Sequence, residues 1–128
     1  MLLNDAAVSN DRTAPEFVMM LLHAVTNAHI LHFQSRSYSQ HMALGDFYDG
    51  LGELVDTLVV AYQGKYGIIR NYPSENDQPP EPVAYLNSLK TGVAQMRGRM
   101  PKDSELQNII DEIAALIDTT LYKLRFLK

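Results

Sequence analysis

The chain has 128 residues, 46% of them hydrophobic, a net charge of −4 and no cysteine. That composition reads as one folded domain with one core. It excludes disulfides and thiolate-held zinc or iron–sulfur clusters, so any metal must be held by histidine and carboxylate, and the acidic balance argues against a general DNA-backbone binder.

No run of about 18 apolar residues is present, so no membrane-spanning segment is expected. The opening stretch from Met1 to Asp5 is short and acidic, unlike a secretory signal. The expectation is a cytoplasmic protein. Charge is uneven: residues 1–67 carry 3 basic and 7 acidic residues, and residues 68–128 carry 8 of each. The acidic half also holds all four histidines. That suits cation binding, although a solvated acidic face has the same composition.

Four helices are predicted in chain order. The first covers about 14–35 and opens on Thr13-Ala14-Pro15-Glu16, a capping box with a first-turn proline. One of its faces carries Val18, Leu22, Val25, His29 and His32; the neighbouring face carries Phe17, Leu21, Ala24, Ala28 and Leu31. The second covers about 39–63, opens on a Ser37-x-x-Gln40 box, and is apolar at Leu44, Leu51, Val55, Leu58 and Tyr62. Gly64 and Gly67 are its stop signals.

Residues 68–82 include Pro73, Pro79 and Pro80 and read as a loop between helix pairs. A third helix covers about 82–97, with Tyr85, Leu86, Leu89, Val93 and Met96 inward. Gly98 and Pro101 end it. A fourth covers about 104–127, opening on Ser104-x-x-Gln107, with a stripe from Ile109 through Ile113 and Ile117 to Leu124. Period-two alternation is absent. The fold class is therefore all-α, a four-helix bundle of antiparallel helix pairs joined by a longer middle loop.

The chemistry-bearing residues cluster on the first two helices. His29 and His41 are twelve residues apart, and Asp56 follows fifteen later. With about 100° per residue, His41, Gly45, Tyr48, Gly52 and Asp56 share one side of helix two. Each interior glycine costs about 1 kcal/mol relative to alanine. Gly45 and Gly52, flanking Tyr48, are therefore read as points of close approach by another helix or another subunit. Imidazole and carboxylate suit iron, manganese or zinc. His32, one turn from His29, and Asp49 are secondary ligand candidates.

The order and spacing of His29, His41 and Asp56 within the stretch from Asn27 to Gly67 resemble the Dps family of mini-ferritins. The stretch from Asp118 to Leu124 resembles that family's closing helix. The resemblance implies a ferritin-like bundle with an iron site between two-fold-related subunits, histidines from one chain and later carboxylates from the other. It implies a homo-oligomer, a dimer or larger, that oxidises or sequesters ferrous iron. The chain departs from the pattern at Gly45 and Val60, where the family has acids, and at Ile30, where it has tryptophan. The family's lysine-rich DNA-binding tail is missing, as is any E-x-x-H for a di-iron centre within one bundle.

Two other readings stand beside it. A bundle that has lost its metal chemistry would act by contact, as a non-enzymatic oligomeric interaction protein with a protein partner, of the kind frequent in phage and mobile-element genomes. Arg36-x4-His41 also fits the short R-x4-6-H pattern of HEPN ribonucleases, against acidic surroundings. Arg97, Arg99 and Lys102 form a small basic turn, read as solvated or as a dock for an anion.

Overall fold

The computed structural model describes residues 11–74 and 81–128. They form four α-helices, α1 (Thr13–Gln34), α2 (Tyr38–Tyr66), α3 (Pro82–Arg97) and α4 (Ser104–Phe126), and no strand among the described residues. The expected four-helix bundle is present, with bounds close to those read from the sequence. None of the helices is long and apolar enough to cross a membrane.

The packing is a square. α1 contacts α2 and α3, and α4 contacts α2 and α3, leaving α1 and α4 on one diagonal and α2 and α3 on the other. Three contacts fix the directions. Lys65 at the end of α2 pairs with Asp103 just before α4. Asp46 near the start of α2 meets Lys123 near the end of α4 at 3.5 Å. Asn27 late in α1 donates to the Tyr85 hydroxyl early in α3 at 3.1 Å. Every neighbouring pair is thus antiparallel, and α2 ends at the opposite end of the bundle from where α3 begins. The helix order is therefore up-down-down-up, with the α2–α3 connection leaving at one end and arriving at the other. This explains the long, proline-rich link: α3 alone rises about 24 Å, a span that a tight turn does not cover.

One core fills the square. Phe17, Leu21 and Ala28 of α1 meet Phe47, Leu51 and Leu58 of α2, Leu86 and Val93 of α3, and Ile110, Ile113 and Ile117 of α4. Of the two apolar faces on α1, the one bearing Phe17, Leu21, Ala24, Ala28 and Leu31 is buried throughout; the other is split, with Val18 in the core and Leu22 exposed. The difference is position in the bundle, since both faces fit the helical period.

The helix ends depart from expectation in instructive ways. Thr13 makes no capping box: it is already helical and buried, and the Asp11 carboxylate accepts its N–H at 2.9 Å. Ser37 does cap α2, accepting from the Gln40 N–H at 3.3 Å. α2 runs one turn past the expected stop, through Gly64, and ends at Gly67 with φ 95°. That left-handed angle suits glycine and closes the helix. Glu81 caps α3 from two N–H groups, Val83 at 3.1 Å and Ala84 at 2.6 Å. The Ser104-x-x-Gln107 box is not formed either. The Gln107 side chain turns back and donates to the carbonyls of Arg97 and Pro101.

The histidine face of the α1–α2 hairpin

The turn between α1 and α2 is only three residues long, so the last turns of α1 lie beside the first turns of α2. This brings His32 and His41 face to face, with ring centroids 3.6 Å apart and an interplanar angle of 21°. His32 Nδ1 donates to the His41 carbonyl at 2.7 Å, and His41 Nδ1 donates to the His32 carbonyl at 2.9 Å. A carbonyl can only accept, so both Nδ1 atoms carry hydrogen, and each neutral ring keeps its lone pair on Nε2. The His32 carbonyl belongs to the last turn of α1; it also accepts the Ser35 N–H at 3.3 Å, and the helix dipole there favours an imidazole.

Gly45 makes room for this pair. A Cβ built there would lie 3.2 Å from His32 Cε1. The close approach at Gly45 is made by a ring of the chain's own first helix. Gly52, two turns further on, has nothing within 4 Å of where its Cβ would be.

His29 is held differently. Its ring stacks on Tyr48 at 4.1 Å and on Phe33 at 4.5 Å. It approaches His32 edge-on at 6.0 Å. No hydrogen bond engages its ring nitrogens among the described residues, and the side chain is half-buried. Of the three clustered histidines, His29 is oriented by stacking and has both nitrogens available.

The predicted carboxylates are elsewhere in the same chain. Asp56 is exposed, and fifteen residues along one helix put it about 22 Å from His41. Asp49 is exposed one residue beyond Tyr48. Asp46 faces α4 through Lys123. No group of three or more His, Asp or Glu side chains able to hold a metal occurs among the described residues of one chain. The structure thus brings together His29, His32, His41 and Tyr48 and keeps Asp56 apart from them.

The two residues of the ribonuclease pattern lie in the turn and in the first turn of α2. Arg36 is exposed in the turn, and the Nδ1 of His41 is committed to the His32 carbonyl. The basic turn is largely used internally. Arg97 bonds Gln107 and Asp111, and Lys102 donates to the Gly98 carbonyl.

A feature without a sequence motif lies at the far end of the hairpin. A cavity of about 400 Å3 separates the start of α1 from the end of α2, lined among others by Arg12, Tyr62, Tyr66 and Arg70. Burial, with a smaller contribution from Asp11, pushes the Tyr62 phenol up from its usual range. Tyr66 is raised mainly by the hydrogen bond it donates to Asp103. The tyrosines fit the helical period and read as core and rim; only the folded ends of α1 and α2 reveal a space between them.

The fold and this face define a four-helix bundle with one crossover and a histidine-rich hairpin. The chain belongs to the family of unknown function DUF5856, whose model matches residues 32–124, from His32 through most of α4. No curated protein and no solved structure matches it.

Proposed function

We propose that this protein is a homo-oligomeric, Dps-like metal-binding bundle in which two copies pair antiparallel through the α1–α2 face. Ferrous iron is the substrate, held between His29 of one copy and Asp56 of the other, with Asp49 as an additional oxygen donor. The supporting observation is a matter of level along α2. His29 stacks on Tyr48, and Asp56 lies eight residues further on. Their midpoint is Gly52, the helical glycine at the centre of that face with no neighbour over it. A two-fold axis at Gly52 would set each His29 opposite the other copy's Asp56.

The donor set fits a divalent first-row ion: an imidazole whose ring makes no hydrogen bond among the described residues, and carboxylates that are solvated and unpaired in the single chain. The stack of Tyr48 and Phe33 fixes the ring and keeps water from its faces. His32 and His41 act beneath it as the clamp that holds α1 against α2. When bound, ferrous iron supplies the electrons that reduce oxygen or peroxide. The up-down-down-up order with one crossover is that of ferritin-like bundles. Cytoplasmic localisation belongs to the same reading.

Light scattering should give a native mass that is an even multiple of the chain. Metal analysis and a ferrous-oxidation assay should show iron uptake that falls at least tenfold in His29→Ala and in Asp56→Asn, with helicity unchanged. A monomer, or a wild type that binds no added iron, overturns the proposal.

One observation favours the second reading, an assembly protein acting by contact alone. Gly45 and Val60 stand where the Dps pattern has two acids. Under that reading Gly52 still marks the self-contact, a protein partner binds the assembly, and metal content is nil.

A further inference from the structure

We propose that the cavity between the start of α1 and the end of α2 binds a small aromatic monocarboxylate. Its volume, about 400 Å3, lies in the range of small-molecule pockets, roughly 300–1,000 Å3. It lies at the opposite end of the hairpin from His32 and His41, and its argument does not depend on the metal reading.

Three features select the ligand. Two guanidinium groups line the space. Arg12 is fastened by its bond to the Asn71 carbonyl at 3.3 Å and lies 4.0 Å from Glu16. Arg70 has no hydrogen bond or ion pair among the described residues. A planar carboxylate matches the guanidinium fork in a bidentate way. Asp11 also lines the cavity and Glu16 stands beside Arg12, so Arg70 is the one lining cation without an ion pair among the described residues. A single unpaired cation favours a monoanion over a phosphate dianion.

The third feature is the aromatic wall. Tyr62 and Tyr66 stand 5.1 Å apart at 42°, and the Tyr66 hydroxyl is fastened to Asp103. Two rings in that arrangement offer edge and face to a third ring. Ile69, buried against the core, closes the apolar side. Backbone at left-handed angles, Gly67 at φ 95° and Asn71 at φ 63°, bounds the segment that wraps the space.

The test is an NMR titration of the full chain with sodium benzoate, to roughly 10 mM, the range in which millimolar binding saturates. Saturable shifts are expected at the amides of residues 67–71 and at the Tyr62 ring. Arg70→Glu, an exposed substitution, should weaken binding at least tenfold, and His29→Ala should leave it unchanged. Cyclohexanecarboxylate and inorganic phosphate should bind at least several-fold more weakly than benzoate. Absence of saturable shifts at these positions overturns the proposal, as does undiminished binding in Arg70→Glu. Equal binding of either control anion overturns the ligand class.

Discussion

His32 and His41 exchange hydrogen bonds across the α1–α2 turn, each Nδ1 donating to the other's main-chain carbonyl while the two rings lie stacked. Neither bond reaches solvent-facing chemistry; both tie the end of one helix to the beginning of the next. His41, which the sequence places with His29 among the metal ligands, thus fastens the hairpin through Nδ1 and keeps its Nε2 lone pair, while His29 is oriented by stacking alone.

Removing either member of that pair should therefore cost stability. His41→Ala removes one of the two hydrogen bonds to the His32 carbonyl, which keeps the Ser35 N–H, and strips the stack; it should destabilise the bundle by about 1–3 kcal/mol. His29→Ala loses only stacking and should cost less, about 0.5–1.5 kcal/mol. Urea denaturation of the two variants checks the order. It also shows why His29→Ala with Asp56→Asn tests metal binding more cleanly than any variant that includes His41.

The two glycines of α2 should respond in opposite directions. Gly45→Ala presses a methyl group against the His32 ring, which one hydrogen bond and the stack on His41 hold in place, and should lower the melting temperature. Gly52→Ala meets nothing within the chain and should raise monomer stability by up to about 1 kcal/mol through helix propensity. If two copies meet at Gly52, the same substitution lowers the native mass. Calorimetry and light scattering on the two variants read both effects.

Asp103 clasps the end of α2 to the start of α4 through Lys65 and Tyr66. Its carboxyl is held below the usual value of 3.8, first by the hydrogen bond from Lys65 and then by that from Tyr66. A depressed carboxylate contributes stability above its unfolded value and loses it as pH falls through the folded one. Lys65 is raised by the same bond, so its contribution persists below 10.5 and fades as pH rises beyond it. The melting-temperature gap between wild type and Asp103→Asn should be steady near neutrality and close as pH drops below about 4.

Gln107 joins the two helices of the second hairpin, with its amide on the Arg97 and Pro101 carbonyls and its oxygen accepting from the Arg97 guanidinium. Gln107→Ala should destabilise by about 1–3 kcal/mol because it leaves several partly buried groups unpaired. Asp111→Asn, at an exposed ion pair, should cost under about 1 kcal/mol. Thermal melts of both variants test whether the network rather than the charge holds the turn.

Much of the bundle was legible before the structure. Phe17, Leu21, Leu51, Val55, Ile113 and Ile117 recur at helical spacing, and Pro82, Gly67 and Gly98 mark ends, because periodicity and backbone restriction are local properties. The crossover was not, since helix direction depends on contacts such as Asp46 with Lys123 that no local pattern contains. The boxes at Thr13 and Ser104 do not form because a neighbouring acid takes the boundary: Asp11 accepts the Thr13 N–H locally, and Asp103 stands at the N-cap of α4 while Gln107 turns back to the preceding turn. At the histidine face, the sequence puts His29, His32 and His41 on two neighbouring helices, and the hairpin stacks His32 on His41 with His29 edge-on to His32. Spacing could not say which ring nitrogens the main chain would consume.

The crossover also shapes the route by which the chain assembles. Each hairpin is built from contacts close in sequence and carries its own internal fastening, His32 with His41 in one and Arg97 with Gln107 in the other. The remaining contacts, α2 on α4 and α1 on α3, are both distant in sequence and form together when one finished hairpin docks on the other. The two halves should therefore reassociate as separate polypeptides, since the link supplies proximity more than it supplies shape.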